Sequence, residues 1–397
     1  MKQVYTLALL FISYLIIAQP DTEVYVFDLT TTESGVALSN QRNISNNPGY
    51  DNQPYFFNDN MVVFASTRSG QTDIAAYNIR DGKMSYINDT GHGSEYSPTK
   101  IPGQNAVSAI RLDTTGLQRL YRYDMDTGKD TLLVDKLVIG YHTWINDHTI
   151  ASFVLGEPAT LVVSDLKKGV NLSVDNTIGR SLHSIPNTVN TFSYISKKAT
   201  PWQIKSLNLD SQKITTIAET VPEAEDMCWL INGTILMAKG NTIYKIDPKK
   251  DKDWSVLKTF DDPDLQNITR VAVNETGTLL SVVSEIEQVS PEVIVQQQLE
   301  AYNSGDIEAF MATYSDDIKL FRFPNTLMSE GKAPMRQQYG SMFASIKDLN
   351  AEIVNRTVIG NKVIDKEKVT ANGNVFYAVA IYEVTNGLIS RVTFIRE

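Results

Sequence analysis

The sequence predicts an all-β propeller of about six four-stranded blades, in which an N-terminal hairpin closes the last blade, followed by a cone-shaped α+β domain. Residues 22–285 consist of short alternating or β-branched runs separated by Gly, Asp and Asn turns, and one hairpin recurs along them. From about residue 290 the apolar residues follow a helical period instead. A chain of 397 residues can bury two hydrophobic cores. We therefore assign 20–286 to the propeller and 290–397 to the second domain.

Residues 1–19 have the layout of a signal peptide. Lys2 precedes a mostly apolar run from Leu7 to Ala18, and this small residue is followed by Gln19. The run is shorter than the roughly 20 residues that span a bilayer, and no comparable run follows it in the sequence. We expect an exported protein, periplasmic or secreted, that has no membrane span once the peptide is cleaved. A retained N-terminal anchor is the alternative.

The composition excludes several classes of partner and cofactor. The chain carries a net charge of −10 and has no cluster of Lys and Arg, which argues against nucleic acid and anionic membrane surfaces. Cys228 is its one cysteine, so an intramolecular disulfide is impossible, and we interpret it as a small buried hydrophobic residue. The sequence contains no phosphate-binding loop, no nucleophile elbow and no zinc-ligand spacing. We therefore expect no cofactor and no metal.

The recurring hairpin has a polar residue at its turn. In chain order this residue is Asp28, Asn78, Asp124, Asp165, Asn208 and Asp247. The spacing of 39 to 50 residues is typical of four-stranded propeller blades. The hairpin at 22–46 has no inner strands before it, whereas the run at 274–285 has no outer hairpin after it. Because the two halves would complete one blade, we predict that Thr22 lies beside Glu285.

One blade carries a motif in addition to its period. In the stretch QPYFFNDNMVVFASTRSGQTDIAAYNI, residues 53–79, the motif residues are Pro54, Asp59, Arg68, Gly70 and Asp73. This stretch resembles the blades of TolB-like propellers. The resemblance implies an exported scaffold that binds a protein or a glycan on one face of the ring, and it implies no reaction.

Two patterns in the propeller concern metal binding. The segment DMDTGKD at 124–130 alternates Asp as a calcium loop does, but it lacks the distant glutamate ligand and stands where the other repeats have a hairpin turn. The four histidines are His92, His142, His148 and His183. None has the spacing of a zinc site. We interpret the segment as a turn and the histidines as isolated side chains.

The second domain begins with two predicted helices. Ser290 caps the first helix, and Gly305 ends it. Asp306 caps the second helix, whose apolar face runs to Tyr314, and Asp316–Asp317 are expected in the exit turn. We interpret the carboxylates of this region as structural rather than catalytic.

A third helix and a sheet follow. Residues 318–323 predict a strand, and a third helix around Tyr339 carries apolar residues on one face. Four further strands close the chain, and their turns are hairpin dipeptides at 360–361, 372–373 and 386–387. Three helices against a long antiparallel sheet form a cone. We expect a cavity between helices and sheet that suits a small apolar ligand.

Residues 290–397 are similar to the nuclear transport factor two-like superfamily, which includes ketosteroid isomerases and SnoaL-like cyclases. The stretches YNSGDIEAFMATYSDDIKLF and SEGKAPMRQQYGSMF carry the resemblance. It places Gln298 where those isomerases have their oxyanion-holding tyrosine, Arg322 where they have the general base, and Tyr339 at a pocket tyrosine. Their second oxyanion donor falls near Tyr377. Arg322 accepts no proton, so the isomerase mechanism does not carry over to this chain.

Other side chains of this domain could act on a ligand. Asp365 and Glu367 lie two apart on one predicted strand and therefore share a face. If that face lines the cone, the like-charged pair could make a general base, with Tyr377 as electrophile. We favour the alternative, in which the pair faces water. The proposed ligand-binding set is Gln298, Tyr302, Arg322, Tyr339, Tyr377 and Arg391, with Arg322 as counter-ion for an anionic group.

Three functions fit this organisation. We favour an exported binding protein, in which the propeller docks an unknown protein or glycan and the cone holds a small apolar or weakly anionic molecule. The alternative is an enzyme of isomerase, cyclase or dehydratase type that acts in the cone through Asp365, Glu367 and Tyr377. In a third interpretation the cone forms a homodimer through its sheet and brings two propellers together.

Overall fold

The computed structural model describes residues 19–32, 35–286 and 289–396. The chain divides into two compact units, residues 1–286 and 287–397. The predicted signal peptide falls almost wholly outside the described residues. Among the helices that are described, none is both long and apolar enough to cross a membrane.

The N-terminal unit is built from short strands joined by tight turns, as the alternating apolar pattern and the turn residues predict. Besides a short 3-10 helix at Pro263–Leu265, the strands are β1 (Thr22–Thr32), β2 (Gly35–Asn43), β3 (Asp51–Asn58), β4 (Met61–Arg68), β5 (Gln71–Asn78), β6 (Lys83–Tyr86), β7 (Gly93–Lys100), β8 (Ala106–Asp113), β9 (Gln118–Asp124), β10 (Asp130–Val134), β11 (Ile139–Trp144), β12 (Thr149–Val154), β13 (Thr160–Asp165), β14 (Val170–Asn176), β15 (Ile178–Ser184), β16 (Thr191–Ser196), β17 (Gln203–Asn208), β18 (Lys213–Glu219), β19 (Met227–Trp229), β20 (Ile235–Lys239), β21 (Thr242–Ile246), β22 (Ser255–Thr259), β23 (Ile268–Val273) and β24 (Leu279–Glu285).

In the described part of this unit the strands form six antiparallel sheets of four strands each. Five sheets use four consecutive strands, from β3–β6 to β19–β22. The remaining sheet combines both ends of the unit, in the order β2-β1-β24-β23. Thr22 pairs with Glu285 in its register, which confirms the predicted neighbours. The N-terminal hairpin therefore completes the sheet that the last two strands begin.

The hydrophobic core of the N-terminal unit lies between neighbouring sheets. Six clusters of buried side chains occur among the described residues, and each joins one sheet to the next along the chain. Phe64 of β4 shares a cluster with Val283 of β24, and Leu236 of β20 shares another with Leu280 of β24. The series of sheets therefore returns to its starting point. Central strands are buried on both faces, which explains their nearly continuous apolar runs.

The C-terminal unit contains the helices α1 (Pro291–Ser304), α2 (Ile307–Ala312) and α3 (Lys332–Ser345). The Ser290 side chain accepts a hydrogen bond from the backbone N–H of Val293, and Gly305 ends α1 at a φ of 70°. The Asp306 side chain accepts hydrogen bonds from two backbone N–H groups in the first turn of α2. The predicted capping roles of Ser290, Gly305 and Asp306 are therefore confirmed.

One sheet of six strands accompanies the helices: β25 (Tyr314–Arg322), β26 (Thr326–Glu330), β27 (Asn350–Ile359), β28 (Lys362–Ala371), β29 (Asn374–Thr385) and β30 (Leu388–Arg396). Their order is β26-β25-β30-β29-β28-β27. The expectation of a wholly antiparallel sheet is wrong, because β25 pairs in parallel with β30. Sequence analysis did not predict β26. It placed Tyr314 in a helix and Asp316–Asp317 in a turn, whereas all three lie in β25. Tight turns predict only neighbours along the chain, and packing decides the other pairs.

The core of the C-terminal unit lies between the helices and one face of the sheet. Val295 of α1, Phe310 of α2 and Met335 of α3 belong to one buried cluster with Val363 of β28 and Ala380 of β29. The sheet face that carries Val363 and Ala380 is therefore the inner face of this unit, and the opposite face is its outer face.

Candidate functional sites

The predicted pair of carboxylates lies on β28. Side chains alternate between the two faces of a strand, and Val363, Asp365, Glu367 and Val369 are the buried ones here. Asp365 is 1% exposed and Glu367 is 8% exposed. The favoured interpretation, in which this pair faces water, is therefore wrong. Two valines share the face of the carboxylates, and the apolar side chains place that face in the interior.

Asp365 forms an ion pair with Arg356 of β27. Arg356 Nε donates to Asp365 Oδ1 at 2.8 Å, and Arg356 Nη2 donates to Asp365 Oδ2 at 2.7 Å. Arg356 Nη1 donates to Gln296 Oε1 of α1 at 3.0 Å. A bidentate guanidinium stabilises the ionised carboxylate and occupies both of its oxygens. Both carboxylate oxygens of Asp365 therefore already have a partner.

Glu367 has a different environment on the same face. Burial raises the pKa of Glu367 to about 7, and the hydrogen bond from the Tyr382 hydroxyl opposes this rise. The Tyr382 hydroxyl donates to Glu367 Oε1 at 2.9 Å. The nearby charge of Asp365 adds to the rise. A carboxyl group with a pKa close to neutral can both accept and return a proton.

The structure does not bring Tyr377 to this pair. Tyr377 lies on the outer face of β29, opposite Lys368, and is 53% exposed. Arg391 stacks on the Phe321 ring at 3.9 Å, with its Nη2 on Asn325 Oδ1 at 2.8 Å. Arg322 is exposed at the end of β25. The predicted electrophile and the two predicted arginines are therefore apart from Glu367. Alternation along β29 puts Tyr382 on its inner face instead.

The predicted pocket tyrosines Tyr302 and Tyr339 pack against each other. Their ring centroids are 6.5 Å apart, and both contact Phe310 and Phe343, with a Phe310–Tyr339 distance of 4.7 Å. These four rings come from all three helices. Gln298, the remaining member of the ligand-binding set, is also buried. Tyr302 and Tyr339 therefore belong to an aromatic cluster shared by the three helices.

Arg356 and Tyr382 were not predicted from the sequence. The position of the hairpin turns nevertheless indicates that Arg356 lies opposite Asp365. Counting outward from the two-residue turn at 360–361, position 356 falls opposite Asp365, as observed. Counting from the next turn places Ala378 opposite Glu367. The small Ala378 side chain leaves room for the longer Tyr382 side chain. Only the packed structure shows the hydrogen bond between Tyr382 and Glu367.

The N-terminal unit contains a cavity of about 660 Å³. Its lining residues come from β3, β7, β11, β15, β19 and β23, which are each the end strand of a different sheet. The cavity is therefore a channel around which all six sheets are arranged. Its volume is within the range of small-molecule sites.

A network of hydrogen bonds around Arg270 joins four of the sheets at one end of the channel. Arg270 Nη1 pairs with Asp226 Oδ2 at 3.0 Å, Nη2 donates to the Tyr141 hydroxyl at 3.1 Å, and Nε donates to Asn52 Oδ1 at 3.3 Å. We call these four residues the channel floor. They belong to four different sheets, and each lies within the first three residues of its strand or just before it.

The cavity extends from the channel floor past the other ends of the strands. There it is lined by Asn146, Pro186 and Glu275, which follow β11, β15 and β23. We call this second end of the channel its mouth. Sequence analysis did not find it, because its residues are up to about two hundred positions apart and share no local motif.

Uncharged polar and aromatic side chains line the wall of the channel. His142 Nε2 lies 2.6 Å from Ser108 Oγ, which also accepts a hydrogen bond from Trp144 Nε1 at 2.8 Å. Burial lowers the pKa of His142 to about 3, so the ring is neutral. Its Nδ1 is buried without a hydrogen-bond partner among the described residues. Burial also lowers the pKa of His183. The two histidines interpreted as isolated side chains therefore both line the channel.

The remaining sequence predictions for the N-terminal unit concern a turn and a thiol. Asp124 Oδ1 accepts hydrogen bonds from the backbone N–H and the hydroxyl of Thr127, so the segment forms the turn between β9 and β10. Cys228 is buried, and burial raises the pKa of its thiol. The interpretation of residues 124–130 as a hairpin turn is confirmed, and so is that of Cys228 as a small buried residue.

Comparison with known proteins assigns both units to a class. The family model of the SnoaL-like domain matches residues 295–392. No curated protein matches the chain. The C-terminal unit is thus a SnoaL-like, nuclear transport factor two-like domain, and the N-terminal unit is a TolB-like, propeller-type region.

Three solved structures are similar to parts of the chain. A structure from Agrobacterium tumefaciens assigned as TolB is 9% identical, covers 68% of this chain and 99% of its own, and has a TM-score of 0.53. An uncharacterised cystatin-fold protein from Novosphingobium aromaticivorans is 28% identical over 27% of this chain and 99% of its own, with a TM-score of 0.26. An NTF2-like protein of unknown function from Cytophaga hutchinsonii is 16% identical over 28% of this chain and 93% of its own, with a TM-score of 0.25.

Proposed function

We propose that the chain is an exported binding protein whose propeller-type unit holds a protein partner at the mouth of the central channel. The observation that carries this proposal is the cavity of about 660 Å³ to which every sheet contributes. We further infer that the six sheets are six blades closed into a ring. The six hydrophobic clusters between successive sheets support the closed ring.

The loops around the channel mouth support a role in docking. Hydrogen bonds join neighbouring loops at Asn274–Asp59, Asn146–Asn190 and Asn187–Ile231. Such bonds hold the loops in place before a partner arrives, which lowers the entropy lost on binding. Tyr55, Val189 and Ile231 expose apolar surface beside the mouth. Exposed apolar surface beside the mouth favours a protein partner over a glycan.

Site-specific photo-crosslinking tests the proposed function. A benzoylphenylalanine residue at Tyr55 or Ile231 is expected to capture the same protein in cells of the source organism. The same residue at Leu172 on β14, which is more exposed than Tyr55 and Ile231, is the control and is expected to capture nothing of that mass. A product that a glycosidase degrades would identify a glycan instead. Equal capture from Leu172, or none from the mouth, contradicts the proposal.

Acid–base catalysis in the C-terminal unit is a second candidate function. It is favoured by Glu367, whose pKa of about 7 and hydrogen bond from Tyr382 suit a general base with an adjacent proton donor. In this proposal Glu367, one of the two carboxylates that the sequence predicted as base, is the base, and Tyr382 replaces Tyr377 as the electrophile. The test is deuterium uptake next to the carbonyl in a panel of small ketones. Loss of uptake in Glu367→Gln but not in Glu352→Gln would support catalysis.

A homodimer through the C-terminal sheet remains a proposal as well. Val354, Val375, Tyr377 and Ile395 expose apolar surface on the strands of this sheet. Exposed apolar patches of this kind mark interaction surfaces. Two copies joined in this way would present two propeller-type units to one partner surface and increase avidity.

A further inference from the structure

The charged groups along the channel are unequal in number. Three cationic side chains, Lys100, Arg180 and Arg270, line the cavity, but only two anionic ones, Asp226 and Glu275. Both channel histidines are neutral because burial lowers the pKa of each. The lining therefore has an excess of positive charge, in a chain whose net charge is −10.

Arg270 does not account for this excess. Its guanidinium is ion-paired with Asp226 and uses its other N–H groups on Tyr141 and Asn52. It is a structural part of the channel floor. A charge compensated in this way attracts little from a ligand.

Arg180 is the cation beside the channel floor that lacks such compensation. It is the third residue of β15, as Arg270 is the third residue of β23. Its Nη2 donates to the backbone carbonyl of Thr269 at 3.2 Å, and its Nε is buried without an acceptor among the described residues. No carboxylate in the described part of the chain lies within ion-pairing distance of this guanidinium.

Glu225 contacts Arg180 through the backbone of β15. Glu225 Oε1 accepts a hydrogen bond from the backbone N–H of Arg180 at 2.8 Å and pairs with Lys197 Nζ at 2.9 Å. Glu225 therefore holds the β15 backbone in place and forms no hydrogen bond with the Arg180 guanidinium, although the two charges interact at longer range. N–H groups of this guanidinium stay available to an external anion. A planar guanidinium with a free donor suits a carboxylate, which can accept two parallel hydrogen bonds.

We propose that the channel binds a ligand group that carries one carboxylate, and that Arg180 pairs with this carboxylate beside the channel floor. The uncharged remainder of the ligand lies along the wall, against His142, Trp144 and Trp229. This inference rests on the proposed function and adds the chemistry of the bound group. The carboxylate can belong to a peptide of the partner or to a small acid.

Matched pairs of acids and amides test the inference in the full chain. The probes are benzoate and benzamide, 4-phenylbutyrate and its amide, and N-acetylphenylalanine and its amide, followed by saturation-transfer NMR. At least one acid is expected to bind about tenfold more tightly than its amide, because a charged hydrogen bond replaces a neutral one. Arg180→Met is expected to abolish this preference, whereas Arg180→Lys retains part of it.

The controls separate the two proposals from each other. Arg122→Met changes an arginine on β9 that pairs with Asp124 outside the channel, and it should leave the preference intact. Three outcomes overturn the inference about charge. They are equal binding of acids and amides, a preference for the acid that survives in Arg180→Met, and the absence of acid binding at millimolar concentration. Crosslinking at Tyr55 and Ile231 would still support the proposed function in those cases. A peptide ending in phenylalanine, compared as acid and amide, distinguishes a peptide from a small acid as the source.

Discussion

The Arg356 guanidinium holds the Asp365 carboxylate by two hydrogen bonds, of 2.8 and 2.7 Å, across the β27–β28 hairpin. Asp365 is 1% exposed, so neither water nor another cation can replace this partner without rearrangement. The pair also explains why two carboxylates on one face differ. Asp365 is compensated by a full positive charge, whereas Glu367 is held by a neutral tyrosine hydroxyl.

Removal of Arg356 should destabilise the C-terminal unit. In Arg356→Met the buried Asp365 carboxylate loses its counter-charge, and breaking a buried pair in this way costs about 3–5 kcal/mol. Hydrogen exchange of peptides from β27 and β28 in the full chain measures the loss. Lys368→Met, which breaks the more exposed pair with Glu352, is the control and should change the exchange little. Equal effects of the two substitutions would contradict the assignment.

The stability of the C-terminal unit should fall as the pH rises through neutrality. The pKa of Glu367 in the folded chain is about 7, above the ordinary value of 4.5. A raised pKa favours the folded state while the group is protonated, so this contribution is full below about pH 4.5 and is lost as the pH rises through about 7. The difference corresponds to about 3 kcal/mol.

Glu367→Gln should remove most of this pH dependence. The amide keeps the shape of the protonated carboxyl and does not ionise, so hydrogen exchange in β28 and β29, corrected for intrinsic rates, should vary little with pH. Glu352→Gln on the neighbouring strand is the matched control, and it should retain the dependence of the parent chain. The assignment fails if the parent chain and Glu367→Gln show the same pH profile.

Arg270→Met should destabilise the N-terminal unit. The substitution leaves the Asp226 carboxylate without its counter-charge and removes hydrogen bonds to Tyr141 and Asn52, at about 3–5 kcal/mol. The four tryptophans of the chain all lie in this unit. Urea unfolding followed by tryptophan fluorescence therefore measures the unfolding of the N-terminal unit alone. Arg122→Met is the surface control. A shift of the unfolding midpoint no larger than that of the control would argue against the role of the channel floor.

Tyr377→Asp should convert a dimer to a monomer if the outer face of the C-terminal sheet joins two copies. A charge at this exposed position cannot be buried without a partner, so association becomes unfavourable. Sedimentation of the full chain at micromolar concentration measures the mass. Val170→Asp, at a position of similar exposure on β14, should leave the dimer intact. A monomeric parent chain rules the proposal out.

Local sequence signals were sufficient for the elements that short-range chemistry determines. The β hairpins recur because polar turn residues alternate with apolar runs, and Ser290, Gly305 and Asp306 define helix ends through their own hydrogen bonds. The pairing of Thr22 with Glu285 is a long-range contact, yet the sequence predicted it. Each end of the repeat carries half a sheet, and pairing the two halves with each other removes the exposed edges of both.

Tertiary structure decided which side chains meet. The sequence alone placed Asp365 and Glu367 on one face, because the strand period is two residues, but the burial of that face depends on the helices packed against it. The contact of Arg270 with Tyr141 joins residues 129 positions apart. No local pattern encodes such a contact, since it forms only when the sheets surround a common channel. The sequence therefore determined the repeat, the turns and the caps, and the packing of sheets and helices determined both candidate sites.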